Sequence, residues 1–138
     1  MNTTPLPMTL DLHWDDELRF TGRAGDVSLA LDGDGGGAAS PMQAVAFGLA
    51  GCMAIDVVHI LRKGRHALRS LSARLSAERA AEPPRRFTTI RLHFVLGGDL
   101  PAAAVERAVS LSRDKYCSVW HSLRQDMDFA TSFEVQTP

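Results

Sequence analysis

Apolar and polar residues alternate with a period of two at the start of the chain. Met8, Leu10, Leu12 and Trp14 fall on one side and Thr9, Asp11 and His13 on the other, which predicts a strand with one covered face. Asp15-Asp16 predicts the turn, residues 18–22 the returning strand, and Val27, Leu29 and Leu31 a third strand that stops at Asp32-Gly33-Asp34-Gly35-Gly36-Gly37. The chain therefore opens as a β-meander. The glycine cluster lacks the lysine and the spacing of a phosphate loop, so a mobile loop is expected there.

The period changes at Ser40-Pro41. A capping serine followed by a first-turn proline predicts a helix from Pro41 to Lys63, with Gly64 as its stop. Such a helix is about 34 Å long. Ala44, Ala46, Gly48, Ala50, Gly51 and Ala54 strip its sides of bulk, which places it at the centre of a fold or against its twin in a dimer. The apolar run 44–61 carries Asp56 and His59 and reads as a buried helix, not a membrane span.

Leu71, Ala73, Leu75 and Ala77 predict a strand, Glu82-Pro83-Pro84-Arg85 a turn, and Ile90, Leu92, Phe94 and Leu96 the second strand of a hairpin. Pro101 opens a helix with Val105, Ala108, Val109 and Ser112 on one face and Glu106, Arg107 and Arg113 away from it. A shorter helix is expected from near Cys117, carrying Val119, Trp120 and Leu123, before a last strand through Met127, Phe129, Thr131, Phe133 and Val135. The order β-β-β-α-β-β-α-α-β defines an α+β class with a long central helix, and residues 1–138 are the size of a single domain with one core.

Charge and composition narrow the function. A formal net charge of -1 with 45% hydrophobic residues gives none of the basic excess that nucleic acid attracts, so neither a nucleic-acid nor a membrane partner is expected. The first seven residues lack the charged and apolar regions of a signal peptide, which predicts a cytoplasmic location. In that reducing setting Cys52 and Cys117, the two cysteines of the chain, read as catalytic, metal-binding or inert buried residues.

Their settings differ. Cys117 stands at a predicted helix start with Lys115 nearby, where the thiolate is favoured, whereas Cys52 lies among apolar neighbours with Asp56 one turn on, where it is disfavoured. A rival donor set for zinc consists of Cys52, Asp56 and His59 on one helical face with Cys117 and His121 on another, although the spacing matches no established zinc pattern.

The segment Ser40-Pro41-Met42-Gln43-Ala44-Val45-Ala46-Phe47-Gly48-Leu49-Ala50-Gly51-Cys52 resembles the proline-started, alanine- and glycine-rich helix of the OsmC/Ohr superfamily. Cys52-Met53-Ala54-Ile55-Asp56-Val57-Val58, Lys63-Gly64-Arg65 and Leu111-Ser112-Arg113-Asp114-Lys115-Tyr116-Cys117-Ser118-Val119 look most like its YhfA-like branch. The resemblance implies an OsmC-like fold in an intertwined homodimer. It also implies a thiol-dependent peroxidase in which peroxidatic Cys52 reduces an organic hydroperoxide and resolving Cys117 closes a disulfide.

A lipoyl-type dithiol would then reduce the enzyme, in a stress or detoxification role with no cofactor and no metal. The chain departs from the pattern at Met42, where characterised peroxidases of this type carry a glutamate. Arg19 and Arg23 are candidates to hold the thiolate, and Gln43 and Asp56 to stand behind the thiols. The alternative is a non-catalytic small-molecule or metal-binding protein on the same scaffold.

Overall fold

The computed structural model describes residue 5 and residues 7–136. The elements are β1 (Asp11–Asp16), β2 (Arg19–Ala24), β3 (Val27–Asp32), α1 (Pro41–Lys63), β4 (Ala67–Arg79), β5 (Phe87–Asp99), α2 (Ala102–Leu111), a π-helical turn (Ser112–Tyr116), α3 (Ser118–His121) and β6 (Asp128–Gln136). This is the predicted α+β order with one addition, the π-helical turn. The chain divides into two compact units, Met1–Val45 and Ala46–Pro138.

In the first unit β1, β2 and β3 pair antiparallel in that order. The predicted turn at Asp15-Asp16 is displaced, because Asp16 pairs with Arg19 beyond a register shift and the chain reverses at Glu17-Leu18. Glu17 takes the left-handed conformation there (φ 50°) and its carbonyl accepts the Trp14 indole N–H at 2.9 Å. The glycine loop begins at the buried Asp32 and bends around its carboxylate. The Asp32 carboxylate accepts from the Asp34 N–H at 2.9 Å, the Gly37 N–H at 3.3 Å and Arg19 Nε at 3.4 Å. These donors, the Asp34 N–H first, hold it below its ordinary value despite burial.

The strand predicted from Met8 begins only at Asp11, and the apolar positions of the predicted alternation are not buried. Met8, Leu10, Leu12 and Trp14 are all exposed, Trp14 by 69%. Val27 and Leu29 on β3 are exposed as well.

Helix α1 has the predicted limits, and its start is a reciprocal cap. Ser40 Oγ accepts the Gln43 N–H at 3.2 Å while Gln43 Oε1 accepts the Ser40 N–H at 2.9 Å. Its end differs from the simple glycine stop. The His66 N–H returns to the Leu61 carbonyl and the Arg65 N–H to the Arg62 carbonyl, so the left-handed residue is Arg65 (φ 62°). Gly64 serves close approach instead, since a Cβ there would stand 2.9 Å from the His66 ring.

Leu49, Met53, Val57 and Leu61 form one buried stripe on α1, whereas Phe47 (72%) and Ile55 (69%) on other sides are exposed. The helix expected to be buried is therefore buried along one line only in the single chain. By length and composition alone it could cross a bilayer. Its buried stripe is packed by protein, and core helices of globular proteins share this length and composition.

In the second unit β5 lies between antiparallel β4 and parallel β6. Ile90, Leu92, Phe94 and Leu96 are fully buried, together with Val105 and Ala108 of α2. Gly98 (φ 135°) permits the register shift between Leu68 and Ser70, because a Cβ would run into the Ala67 carbonyl. Arg113, expected to point away from the core, lies 4.8 Å over the Phe129 ring, which itself meets Trp120 at 4.4 Å.

Candidate functional site

Two pairs of residues, each one helical turn apart, face each other in the second unit. Cys52 and Asp56 stand at i and i+4 on α1, and so project on one side of it. The other pair is Ser112 and Cys117, five residues apart. A regular α-helix would stack Tyr116, not Cys117, one turn beyond Ser112. The chain forms a π-helical turn instead, closed by the Cys117 N–H on the Ser112 carbonyl at 2.7 Å. That extra residue brings Ser112 and Cys117 to the same side.

The two pairs interlock. Ser112 Oγ donates to Asp56 Oδ2 at 2.8 Å. Cys52 Sγ, Cys117 Sγ and an Asp56 carboxylate oxygen all lie within 4.8 Å of one another. Both sulfurs are free thiols, with Cys52 half-buried and Cys117 fully buried.

Burial decides the electrostatics of Cys117. Its thiol is pushed up from 9.0 to about 11, chiefly by desolvation, which the Trp120 N–H opposes; the neighbouring Cys52 adds to the rise and the Val119 N–H opposes it slightly. The thiolate-favouring position expected for it is thus corrected. Cys117 does cap α3, accepting the Trp120 N–H at 3.4 Å, but α3 is a single turn and accumulates little dipole. Lys115, expected nearby, has its ammonium 5.2 Å over the Tyr116 ring.

Of the other candidates, Arg19, Gln43 and His121 are engaged in bonds of their own. Arg19 and Arg23 both lie on β2 of the first unit, where Arg19 bonds Asp32 and also stands 3.7 Å from Asp16, and Arg23 is exposed. Gln43 spends its side-chain oxygen on the α1 cap. Of the two histidines in the rival zinc set, His121 Nε2 meets the Arg113 carbonyl at 2.9 Å, and His59 lines a cavity.

That cavity, of about 560 Å³, is walled by Asp56, His59, Lys63, Arg107, Leu111 and Tyr116. Asp56 therefore faces the thiols and also borders a space large enough for a small molecule. Ser112 is the site residue that pattern reading missed. Its signal was present, a hydroxyl on the apolar face of an amphipathic helix, but nothing local names its acceptor 56 positions away.

What the arrangement can do follows from its atoms. Two adjacent thiols can exchange two electrons for a disulfide, and two sulfurs with a carboxylate form a donor set for a thiophilic cation.

The family model described as OsmC-like protein matches residues 33–132. The chain is 44% identical over 131 residues to Protein YhfA of Escherichia coli strain K12, a match covering 93% of this chain and 98% of that one. A crystal structure of a hypothetical protein from Aquifex aeolicus superposes with a TM-score of 0.90 at 25% identity, over 97% of this chain and 99% of that one.

An organic hydroperoxide resistance protein OsmC from Legionella pneumophila shares the fold, with a TM-score of 0.72 at 21% identity over 96% and 99% of the two chains. Fold, sequence and the matched segment agree, and the chain belongs to the OsmC/Ohr superfamily, in its YhfA-like branch.

Proposed function

We propose that this protein is a thiol-dependent peroxidase that reduces organic hydroperoxides, with Cys52 as the attacking thiol and Cys117 as the resolving one. The observation that carries the reading is the convergence of the two sulfurs and the Asp56 carboxylate within 4.8 Å. Exposure supports this order, because Cys52 is half-buried and Cys117 is fully buried.

In the first step Asp56 takes the Cys52 proton as the sulfur attacks the distal peroxide oxygen. The O–O bond breaks, and the departing alkoxide leaves as an alcohol with that proton. Cys52 becomes a sulfenic acid. Asp56 thus does the work of the carboxylate that Met42 removes from the helix start, and Ser112 positions it through the 2.8 Å hydrogen bond.

In the second step the Cys117 sulfur attacks the sulfenic sulfur, a disulfide forms and water leaves. Part of the upward push on Cys117 comes from Cys52, so oxidation of Cys52 to a neutral sulfenic acid eases ionisation of its partner. A dithiol of the lipoyl type then returns both sulfurs to the reduced state by exchange.

The working unit is read as a homodimer in the cytoplasm. Exposed Trp14, Leu12, Val27 and Leu29 of the first unit and Phe47 and Ile55 of α1 supply the apolar surface for a second copy. Arg19 or Arg23 is the candidate cation for the Cys52 thiolate once that copy is in place.

The test adds one equivalent of cumene hydroperoxide to the reduced protein and counts thiols. The reading expects loss of both thiols in the wild type, a trappable sulfenic acid in Cys117→Ser and none in Cys52→Ser. Retention of both thiols in the wild type, with no alcohol formed, removes it.

A further inference from the structure

The geometry points to a cation site for a thiophilic divalent ion of the zinc type, built from Cys52 Sγ, Cys117 Sγ and one carboxylate oxygen of Asp56. It stands on the donor arrangement alone and does not rest on the hydroperoxide reading.

Three features carry it. The donor atoms already lie within 4.8 Å of one another, while tetrahedral zinc with bonds of about 2.3 Å to sulfur and 2.0–2.2 Å to oxygen needs donors about 3.6–3.8 Å apart, a contraction of at most about 1 Å. The carboxylate is held by a second residue, since Ser112 Oγ donates to Oδ2 at 2.8 Å, and ligating carboxylates are commonly hydrogen-bonded in this way. Access exists as well, because Cys52 is half-buried and Asp56 borders the 560 Å³ cavity.

The chemistry of the donors selects the ion. Two sulfurs favour a soft or borderline cation over magnesium or calcium, and three protein ligands leave a fourth position for water. The set differs from the one the sequence suggested, for His59 and His121 are not among the clustered atoms. Since a disulfide uses the same two sulfurs, ion and disulfide exclude each other. When an organic hydroperoxide takes two electrons from the paired thiolates, two protons are consumed, the disulfide, an alcohol and water form, and the ion leaves.

The experiment titrates zinc into the reduced full-length protein against a chromophoric chelator, with cadmium as a second probe. One zinc per chain is expected, and an ultraviolet sulfur-to-cadmium charge-transfer band in the wild type, which needs no variant to interpret. Cys52→Ser and Cys117→Ser abolish tight binding, Ser112→Ala weakens it about 10–100-fold, and His59→Ala and His121→Ala leave it unchanged. The disulfide form binds none.

The inference is overturned if the reduced wild type shows no saturable zinc binding. It is equally overturned if full affinity survives both cysteine replacements, or if affinity follows the histidines. Thiol counting with hydroperoxide on the zinc-free protein is scored separately, so either conclusion can fail while the other stands.

Discussion

Residues 8–14 and 90–96 carry the same alternation of apolar and polar side chains and end in opposite surroundings. Ile90, Leu92, Phe94 and Leu96 are sealed in the core of the second unit, while Met8, Leu10, Leu12 and Trp14 stand open on the first. The difference is general. Every buried hydrophobic residue among those described falls between Leu49 and Phe129, and the first unit contributes only Asp32 to the buried set.

A three-stranded sheet that fully buries no hydrophobic side chain has little to hold it, because pairing alone does not offset the entropy of ordering its strands. Alternation therefore records which way side chains point, and the packing partner decides whether that direction is inside. For the first unit the partner proposed above is a second copy of the chain.

The sharpest way to test the contrast is to delete matching side chains. Phe94→Ala is expected to cost about 3–5 kcal/mol in urea unfolding, because a fully buried ring is lost from a packed sheet. The same contrast exists between the two thiols. Cys117 holds its proton to about 11 in the folded chain and to about 9.0 when unfolded, so across that window the unfolded chain ionises first.

Stability should thus fall as pH rises from 9 to 11, by about 2–3 kcal/mol in all. Unfolding of the reduced protein measured across that range checks it, and Cys117→Ser should flatten the slope. A rise in stability over the window contradicts the burial argument.

Smaller effects probe the joints between elements. Ser112→Ala takes the donor from a half-buried carboxylate and should cost about 1–2 kcal/mol, whereas Ser112→Thr, which keeps a hydroxyl, should recover part of it. Ser40→Ala removes one arm of the α1 cap, for about 1 kcal/mol by the same measurement.

At the low end, Leu12→Ala should change the stability of a dissociated chain by under about 0.5 kcal/mol, since its side chain is exposed there. Its effect belongs to association. Sedimentation should show weaker self-association for Leu12→Asp and Trp14→Asp than for the wild type, and identical behaviour would leave the open face without its proposed cover.

Much of the fold was legible because its signals are local. The Ser40-Pro41 cap fixed the start of α1 to the residue, and alternation located β4, β5 and β6. The errors were also local in kind. A register shift moved the first turn past Asp15-Asp16, and the left-handed residue that follows α1 is Arg65, not Gly64. Of the site, Cys52 and Asp56 could be placed on one face from helical spacing. Ser112 and Cys117 could not, because a regular helix does not bring residues five apart into line.

The chain by itself determined its elements, its family and the identity of the two sulfurs, since capping, periodicity and spacing depend on neighbours within a few positions. Tertiary structure alone decided that Ser112 would meet Asp56, that Cys117 and not Cys52 would be the sealed thiol, and that one alternating strand would be buried and another left open. Those outcomes depend on desolvation and on contacts between groups dozens of residues apart, and neither is encoded in any single stretch of the sequence.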